Sequence, residues 1–434
     1  MDDVAVKVYI DTSGLPFPLI IKNNVFPACL YLNAYLNGNH NSPLSKGTST
    51  QVPAFNTQKK YADELKFLYC YFTSSNINLV KRVASGNFLS SSEIDDFVRI
   101  SKLPINVNST SEQAQTTKIT DRRIQEAIHQ TKHSVPQVSA HTSKQRLVRL
   151  RSYLEYLYVC HHYDKRSTIE SVKVDSRFRA FQLYINRYIA DIRKDNIKTR
   201  DPLESSLPTD KYFDLLEITK ASSQRNPFKS SKLRNQLMMQ ILIETGVRIG
   251  ALLKLKVSDL IDDWNNPRFL LTRTPNDTSD KRRNPAKNKT KAISVSISSD
   301  LMKQLVHYIS TVRVKYARSN EHDFLFISEK GVSSGQPITY EQTYKIVVKF
   351  GDKIGHKLHP HLLRHKWNEI FTEKAERAGY DHDKIEDMRK YSMGWVVNST
   401  MMQTYNEFKI AVKVSELSAI NQNKSVPDEG DSNE

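Results

Sequence analysis

Several side chains in this sequence could together move a phosphoryl group. Arg248 follows the helical run that ends in "ETG" (244–246). His361 and Arg364 stand three apart in "HPHLLRHKW" (359–367), so on a helix they share a face while Leu362 and Leu363 turn toward a core. Lys281, Arg282, Arg283, Lys287, Lys289 and Lys291 crowd into "DKRRNPAKNKTK" (280–291). Trp395 and Tyr405 follow in "MGWVVNSTMMQTYNEF" (393–408), where Asn398 or Ser399 could cap a helix bearing the tyrosine. A phenol oxygen that attacks a phosphodiester builds a five-coordinate transition state with added negative charge on the non-bridging oxygens. Fixed guanidinium groups stabilise that charge. A histidine can take or give a proton, and one lysine of the basic loop can protonate the leaving oxygen. A covalent phosphotyrosine keeps the bond energy, so a strand could be resealed without a nucleotide cofactor. No metal is called for: His361 and His365 are four apart, but the carboxylate of an HExxH site is missing.

Taken singly, each group has a plainer reading. An arginine after a helix is usually solvated, and a basic loop can be a charged turn or a DNA-backbone contact. With 20 tyrosines in the chain, one more is ordinarily a packing residue. The combination is what points to chemistry.

The rest of the chain must position these groups. At 434 residues it is long enough for two or three domains. Its 64 Lys and Arg against 47 Asp and Glu give a net charge of +17, which biases it toward polyanions such as DNA. Cys29, Cys70 and Cys160 form no CxxC pair, so neither a zinc ribbon nor a disulfide framework is expected, and three thiols fit a reducing compartment. No run approaches the ~18 apolar residues of a membrane span, and "MDDVAVKVYIDTSG" does not read as a signal peptide. The expected location is cytoplasmic and nucleoid-associated, with no membrane partner.

Residues 1–45 read as a flank of short extended pieces, ending in the loop-rich "NGNHNSPLSKGTSTQVP". Residues 46–200 read as a helical domain. In "NTQKKYADELKFLYCYF" the stripe Tyr61, Leu65, Leu68 and Phe72 leaves Lys59 and Lys60 outside it. In "SKQRLVRLRSYLEYLYVCHHY" the stripe Leu147, Leu150, Leu154 and Leu157 is flanked by Arg146 and Arg149. These four basic residues, with Lys281, Arg282, Arg283, Lys287 and Lys291, are the expected DNA contacts. After the polar boundary "KTRDPLESSLPTD" (198–210), residues 208–420 read as the catalytic domain. It should hold helices, a hairpin-like pair "RFLLTRT" and "AISVSIS" around the basic loop, and a short strand "DFLFIS". The tail 421–434 is acidic and reads as disordered. The fold class is mostly α with a small antiparallel β-sheet.

The motifs resemble those of the tyrosine recombinase, or phage integrase, superfamily. Arg248 in "TGVRIGALLKL" matches its TGxR segment, and His361 with Arg364 matches its HxxR box. "NKTKAISV" suggests Lys289 as the catalytic lysine ahead of the second strand. "MGW" puts Trp395 where relatives carry His or Trp, and Tyr405 ten residues on is the nucleophile. The likeness covers roughly residues 208–415. Ala251 stands where many relatives have an acid, and Lys366 where a small polar residue is usual. The resemblance implies a helical core-binding domain and a catalytic domain that clamp duplex DNA, and site-specific strand exchange through a 3′-phosphotyrosyl link without a cofactor. It also implies a homotetramer on two DNA sites, with room for DNA-bending accessory proteins, and docking of "KIAVKVSELSAI" (409–420) on a neighbour. A type IB topoisomerase-like or telomere-resolving enzyme shares the chemistry, and a catalytically silent DNA-binding relative is the alternative outside it.

Overall fold

The computed structural model describes residues 3–12, 14–38, 53–104, 137–162, 168–192, 207–263, 265–272, 274, 277–286, 288, 291–395, 414 and 418. Lys287, Lys289, Tyr405, the segment 409–413 and the tail 421–434 lie outside them. The fold is mostly α with two small antiparallel three-stranded sheets. The chain divides into two compact units, Met1–Thr199 and Arg200–Glu434. Among the described residues no helix is long and apolar enough to cross a membrane.

The first unit opens with β1 (Val4–Ile10), β2 (Pro16–Lys22) and the two-residue β3 (Phe26–Pro27), in the order β1-β2-β3. Val4 pairs with Lys22 and Ile10 with Pro16. A helix follows that the reading of 1–45 as extended pieces missed: α1 (Leu30–Asn37). Its polar asparagines do not oppose burial, because Asn33 serves the strand beside it. Its amide donates to the Ile20 carbonyl at 2.9 Å, and its Oδ1 accepts the Ile20 N–H at 2.8 Å. Ile20, Leu32, Tyr35 and Leu36 thereby join the core of this unit, so the N-terminal strands share that core rather than standing apart from it.

That core is built on α2 (Phe55–Ser74), α3 (Leu79–Ala84), α4 (Ser91–Ser101), α5 (Ala140–His162) and α6 (Ile169–Asp191). Both expected stripes bury: Leu65, Leu68 and Phe72 on α2, and Leu147, Leu150, Leu154 and Leu157 on α5. Helix α5 is enclosed well beyond its leucine stripe, and two expected DNA contacts are corrected on that account. Arg146 is buried. It donates to the carbonyls of Ser101 (2.8 Å) and Leu103 (2.7 Å) with its guanidinium over the Phe67 ring. Arg149 is buried too, donating to Glu64 Oε2 and Tyr35 Oη at 2.9 Å each and lying over Tyr61. A charge inside a core must be paired, and these two are. Lys59 is half-buried and Lys60 exposed, both turned outward as expected.

The second unit packs α7 (Thr209–Thr219), α8 (Lys232–Thr245), the single turn α9 (Ile249–Leu252), α10 (Ser299–Thr311), α11 (Tyr340–Ile354), α12 (Pro360–Arg377) and α13 (His382–Met393) around one apolar core. Helix α8 is apolar on most sides because neighbours surround it; Leu237, Met238, Met239, Ile241 and Leu242 are all buried. Its sheet is β4 (Leu260–Ile261), β5 (Arg268–Leu271) and β6 (Ile293–Ser296), with Phe269 opposite Val295. The hairpin-like pair is therefore present, with an extra strand on its edge. "DFLFIS" makes only isolated bridges, Lys256 with Phe324 and Ile327 with Pro337, because the segments beside it run past without a ladder. Its Phe324, Leu325, Phe326 and Ile327 nonetheless fill the core.

Candidate active site

Gly246 ends α8 in the left-handed region, φ +62° and ψ +15°, and its N–H bonds the Leu242 carbonyl at 3.1 Å. A glycine adopts this geometry at little cost. Here a second constraint acts as well. A Cβ at this position would lie 2.8 Å from Trp367 Cγ and 3.0 Å from Met393 Cε. The sharp exit lets Arg248, half-buried, stand at the cap position of α9 two residues later. Ala251 is buried in the core, and its N–H bonds the Arg248 carbonyl at 2.8 Å.

Helix α12 carries the HxxR pair. Pro360 at its first position needs no N–H partner, and Leu362 and Leu363 are buried as expected. His361 lies exposed on the first turn. Arg364 goes inward and is 3% exposed. Its Nη1 donates to the Gly246 carbonyl at 2.7 Å and its Nη2 to the Met393 carbonyl at 3.3 Å. Its Cζ is 5.7 Å from the centre of the Trp395 ring. One guanidinium thus ties together the end of α8, helix α12 and the end of α13.

The same junction is reinforced by its neighbours. Trp367 Nε1 donates to the Glu244 carbonyl at 2.8 Å, and Asn368 donates to the Arg364 carbonyl at 2.8 Å. Met393, Trp395 and Trp367 form a small apolar cluster of their own. Gly394 turns the chain with φ +60°, and Trp395 N–H bonds the Lys390 carbonyl at 3.0 Å. Lys366 is buried and donates to Glu369 at 2.6 Å and to Thr209 at 3.3 Å, which fastens α12 to α7.

The basic loop reaches this place through its backbone. Lys291 N–H donates to the Gly394 carbonyl at 3.2 Å, so the foot of β6 lies against the turn that carries Trp395. Upstream, the loop is organised by a residue the sequence reading passed over. Asp280 is buried and accepts from Arg282 Nε and Nη2, both at 2.7 Å, and from the Ala286 N–H at 3.1 Å. Arg282 also donates to the carbonyls of Ile338 (2.9 Å) and Leu253 (3.1 Å). It is therefore an internal anchor, and its expected role as a DNA contact is corrected: its donors face protein carbonyls and a carboxylate. Lys281 and Arg283 on either side of it are exposed, as is Lys291. The signal was present in "DKRR": a lone acid at the head of a basic run is more useful inside than out.

The structure thus gathers Arg248's segment, Arg364, Trp395 and the Lys291 end of the loop. Tyr405 and Lys289 lie outside the described residues. Comparison with known proteins bears on the same stretch. Residues 206–409 match the model of the phage integrase family. Transposase A from transposon Tn554 of Staphylococcus aureus is 29% identical over 158 residues, 34% of this chain and 41% of the transposase, so the match spans under half of that relative's length. Among solved structures, XerH site-specific recombinase bound to palindromic difH substrate is 16% identical (85% of this chain, 80% of that one, TM-score 0.49). A lambda integrase dimer bound to a COC′ core site is 14% identical (93% and 95%, TM-score 0.38). Residues 206–409 are thus a stretch that matches the phage integrase family of tyrosine recombinases, just under half of the chain, and within it the motif stretches are joined through Arg364.

Proposed function

We propose that this protein is a site-specific recombinase that cuts and rejoins duplex DNA through a 3′-phosphotyrosyl intermediate, integrating or excising a mobile element. Tyr405 is the nucleophile, and a 5′-hydroxyl leaves. Arg248 and Arg364 hold the scissile phosphate and stabilise its added charge. His361 handles the tyrosine proton, Lys289 protonates the leaving oxygen, and the Trp395 ring supports the phosphate side of the pocket. Attack by a 5′-hydroxyl of the partner duplex reverses the step, so bond energy is conserved without a cofactor.

The observation that carries this reading is the double tether of Arg364 to the Gly246 and Met393 carbonyls. It draws the three motif stretches into one place, as a shared phosphate pocket requires. The similarity to a transposon's transposase supports a mobile-element role. We further propose residues 46–200, together with the N-terminal strands and α1 that share their core, as a core-binding domain and 208–420 as the catalytic domain. Lys59, Lys60, Lys281, Arg283, Lys287 and Lys291 contact DNA phosphates. Four protomers act on two sites, with bending proteins as accessories, in the cytoplasm at the nucleoid.

The test is a nicked suicide duplex spanning the joined ends of the element that carries this reading frame. The wild-type chain should be trapped covalently on it and Tyr405→Phe should not. An equal yield from both would end the reading.

A further inference from the structure

The helix that carries His361 and Arg364 is capped by a titratable side chain. In the second unit α7 and α8 have no side-chain cap, and three other helices are capped by a hydroxyl or a carboxylate: Ser298 on α10, Thr339 on α11 and Asp381 on α13. Those acceptors keep their lone pairs across the neutral range. Helix α12 uses His359 instead. Its backbone is extended, φ −145° and ψ 159°, and its Nδ1 accepts the Leu362 N–H at 3.2 Å, a donor it shares with the His359 carbonyl at 2.9 Å.

An imidazole nitrogen that accepts carries no proton, so the ring is neutral with its hydrogen on Nε2. Protonation would remove the acceptor. It would also set a positive charge at the positive end of the helix dipole. Burial of the ring, followed by the nearby charges of Lys357 and His356, holds the pKa of His359 below the ordinary histidine range. Those two groups, on the turn between α11 and α12, are the charges that act on it; among the described residues no carboxylate offsets them. The first turn governed by this cap holds His361, and Arg364 follows one turn on.

We propose that His359 is a positioning residue: its neutral ring caps α12 and fixes the placement of His361 and Arg364, and the cap opens when the ring is protonated. The part concerning catalysis rests on the reaction proposed above. The direction follows from linkage. The folded state binds the proton less well than the unfolded chain, so the cap's contribution is complete above the ordinary histidine value of about 6.5 and fades as pH falls below it toward the lowered folded value.

Two measurements test this. In 15N-histidine NMR of the full chain at pH 7.5, with the His359 signal identified by its loss in His359→Asn, the proton should be on Nε2 and absent from Nδ1. A proton on Nδ1 would overturn the cap whether or not the protein cuts DNA. On the suicide duplex, the His359→Asn to wild-type ratio of adduct formation cancels any titration of His361. It should stay near one at pH 7.5 and rise about fivefold by pH 5, because asparagine caps without titrating. His359→Ala should be slower than His359→Asn at both pH values. A ratio that stays flat from pH 7.5 to 5 would overturn the positioning role. An Nε2–H tautomer with no adduct from any variant would overturn the reaction, and with it His359's part in catalysis, while the cap itself stands.

Discussion

Arg364 Nη1 donates to the carbonyl of Gly246 at 2.7 Å, across 118 positions of sequence. The arginine of the second motif thereby holds the glycine of the first. That carbonyl belongs to the turn from which Arg248 emerges, so displacing either partner moves both arginines of the site. The Met393 carbonyl on the other side extends the coupling to Trp395.

Gly246→Ala should be costly for two separable reasons. The left-handed φ of +62° penalises any Cβ, and the Cβ would sit 2.8 Å from Trp367. Urea unfolding should show a loss of at least ~2 kcal/mol. Trp367→Ala in the same background should recover the packing part only. A Gly246→Ala chain of unchanged stability would contradict the described turn.

Arg364→Lys keeps a charge but loses the planar fork that spans two carbonyls. Cleavage on the suicide duplex should fall by about 100-fold or more, while duplex affinity changes by a few-fold only. Equal losses in both would assign Arg364 a purely structural part.

The burial of Arg146 and Arg149 separates two groups of basic residues that look alike in sequence. Arg149→Ala leaves buried Glu64 with only the longer Lys60 contact at 3.7 Å, so stability should drop by about 3 kcal/mol. The salt dependence of DNA binding, measured at a temperature where the chain stays folded, should not change. Lys281→Ala and Arg283→Ala should do the opposite: little change in unfolding, and a salt slope smaller by about one for each phosphate that is no longer neutralised. A reduced slope for Arg149→Ala would restore it as a DNA-binding residue.

Lys289→Ala should cleave slowly on ordinary DNA and recover on a duplex with a 5′-bridging phosphorothiolate, whose sulfur leaves without a proton. If Lys287→Ala or Lys291→Ala is the variant rescued, the acid is a different lysine of the loop.

The elements were legible where one face is apolar and the other wet. The stripes Leu65, Leu68, Phe72 and Leu147, Leu150, Leu154, Leu157 show this, as does Gly246 as a helix end. Reading failed where burial is satisfied by polar pairing, which leaves no periodic trace. Arg146, Arg149 and Arg282 look like solvated charges until Ser101, Glu64 and Asp280 are seen opposite them. Helix α1 was missed for the same reason, since Asn33 occupies an interior position by bonding the Ile20 backbone. At the site, the residue types and their order were visible in the motifs. The tether from Arg364 to two carbonyls was not, because no side-chain pattern marks a backbone acceptor. His359 as a cap had a signal, an acceptor side chain directly before proline, but histidine is seldom read as a cap.

The most direct measurement is peptide mass spectrometry of the adduct trapped on the suicide duplex. The account predicts a nucleotide remnant joined through its 3′-phosphate to the phenol of Tyr405. A remnant on any other residue, or one joined through a 5′-phosphate, would contradict it.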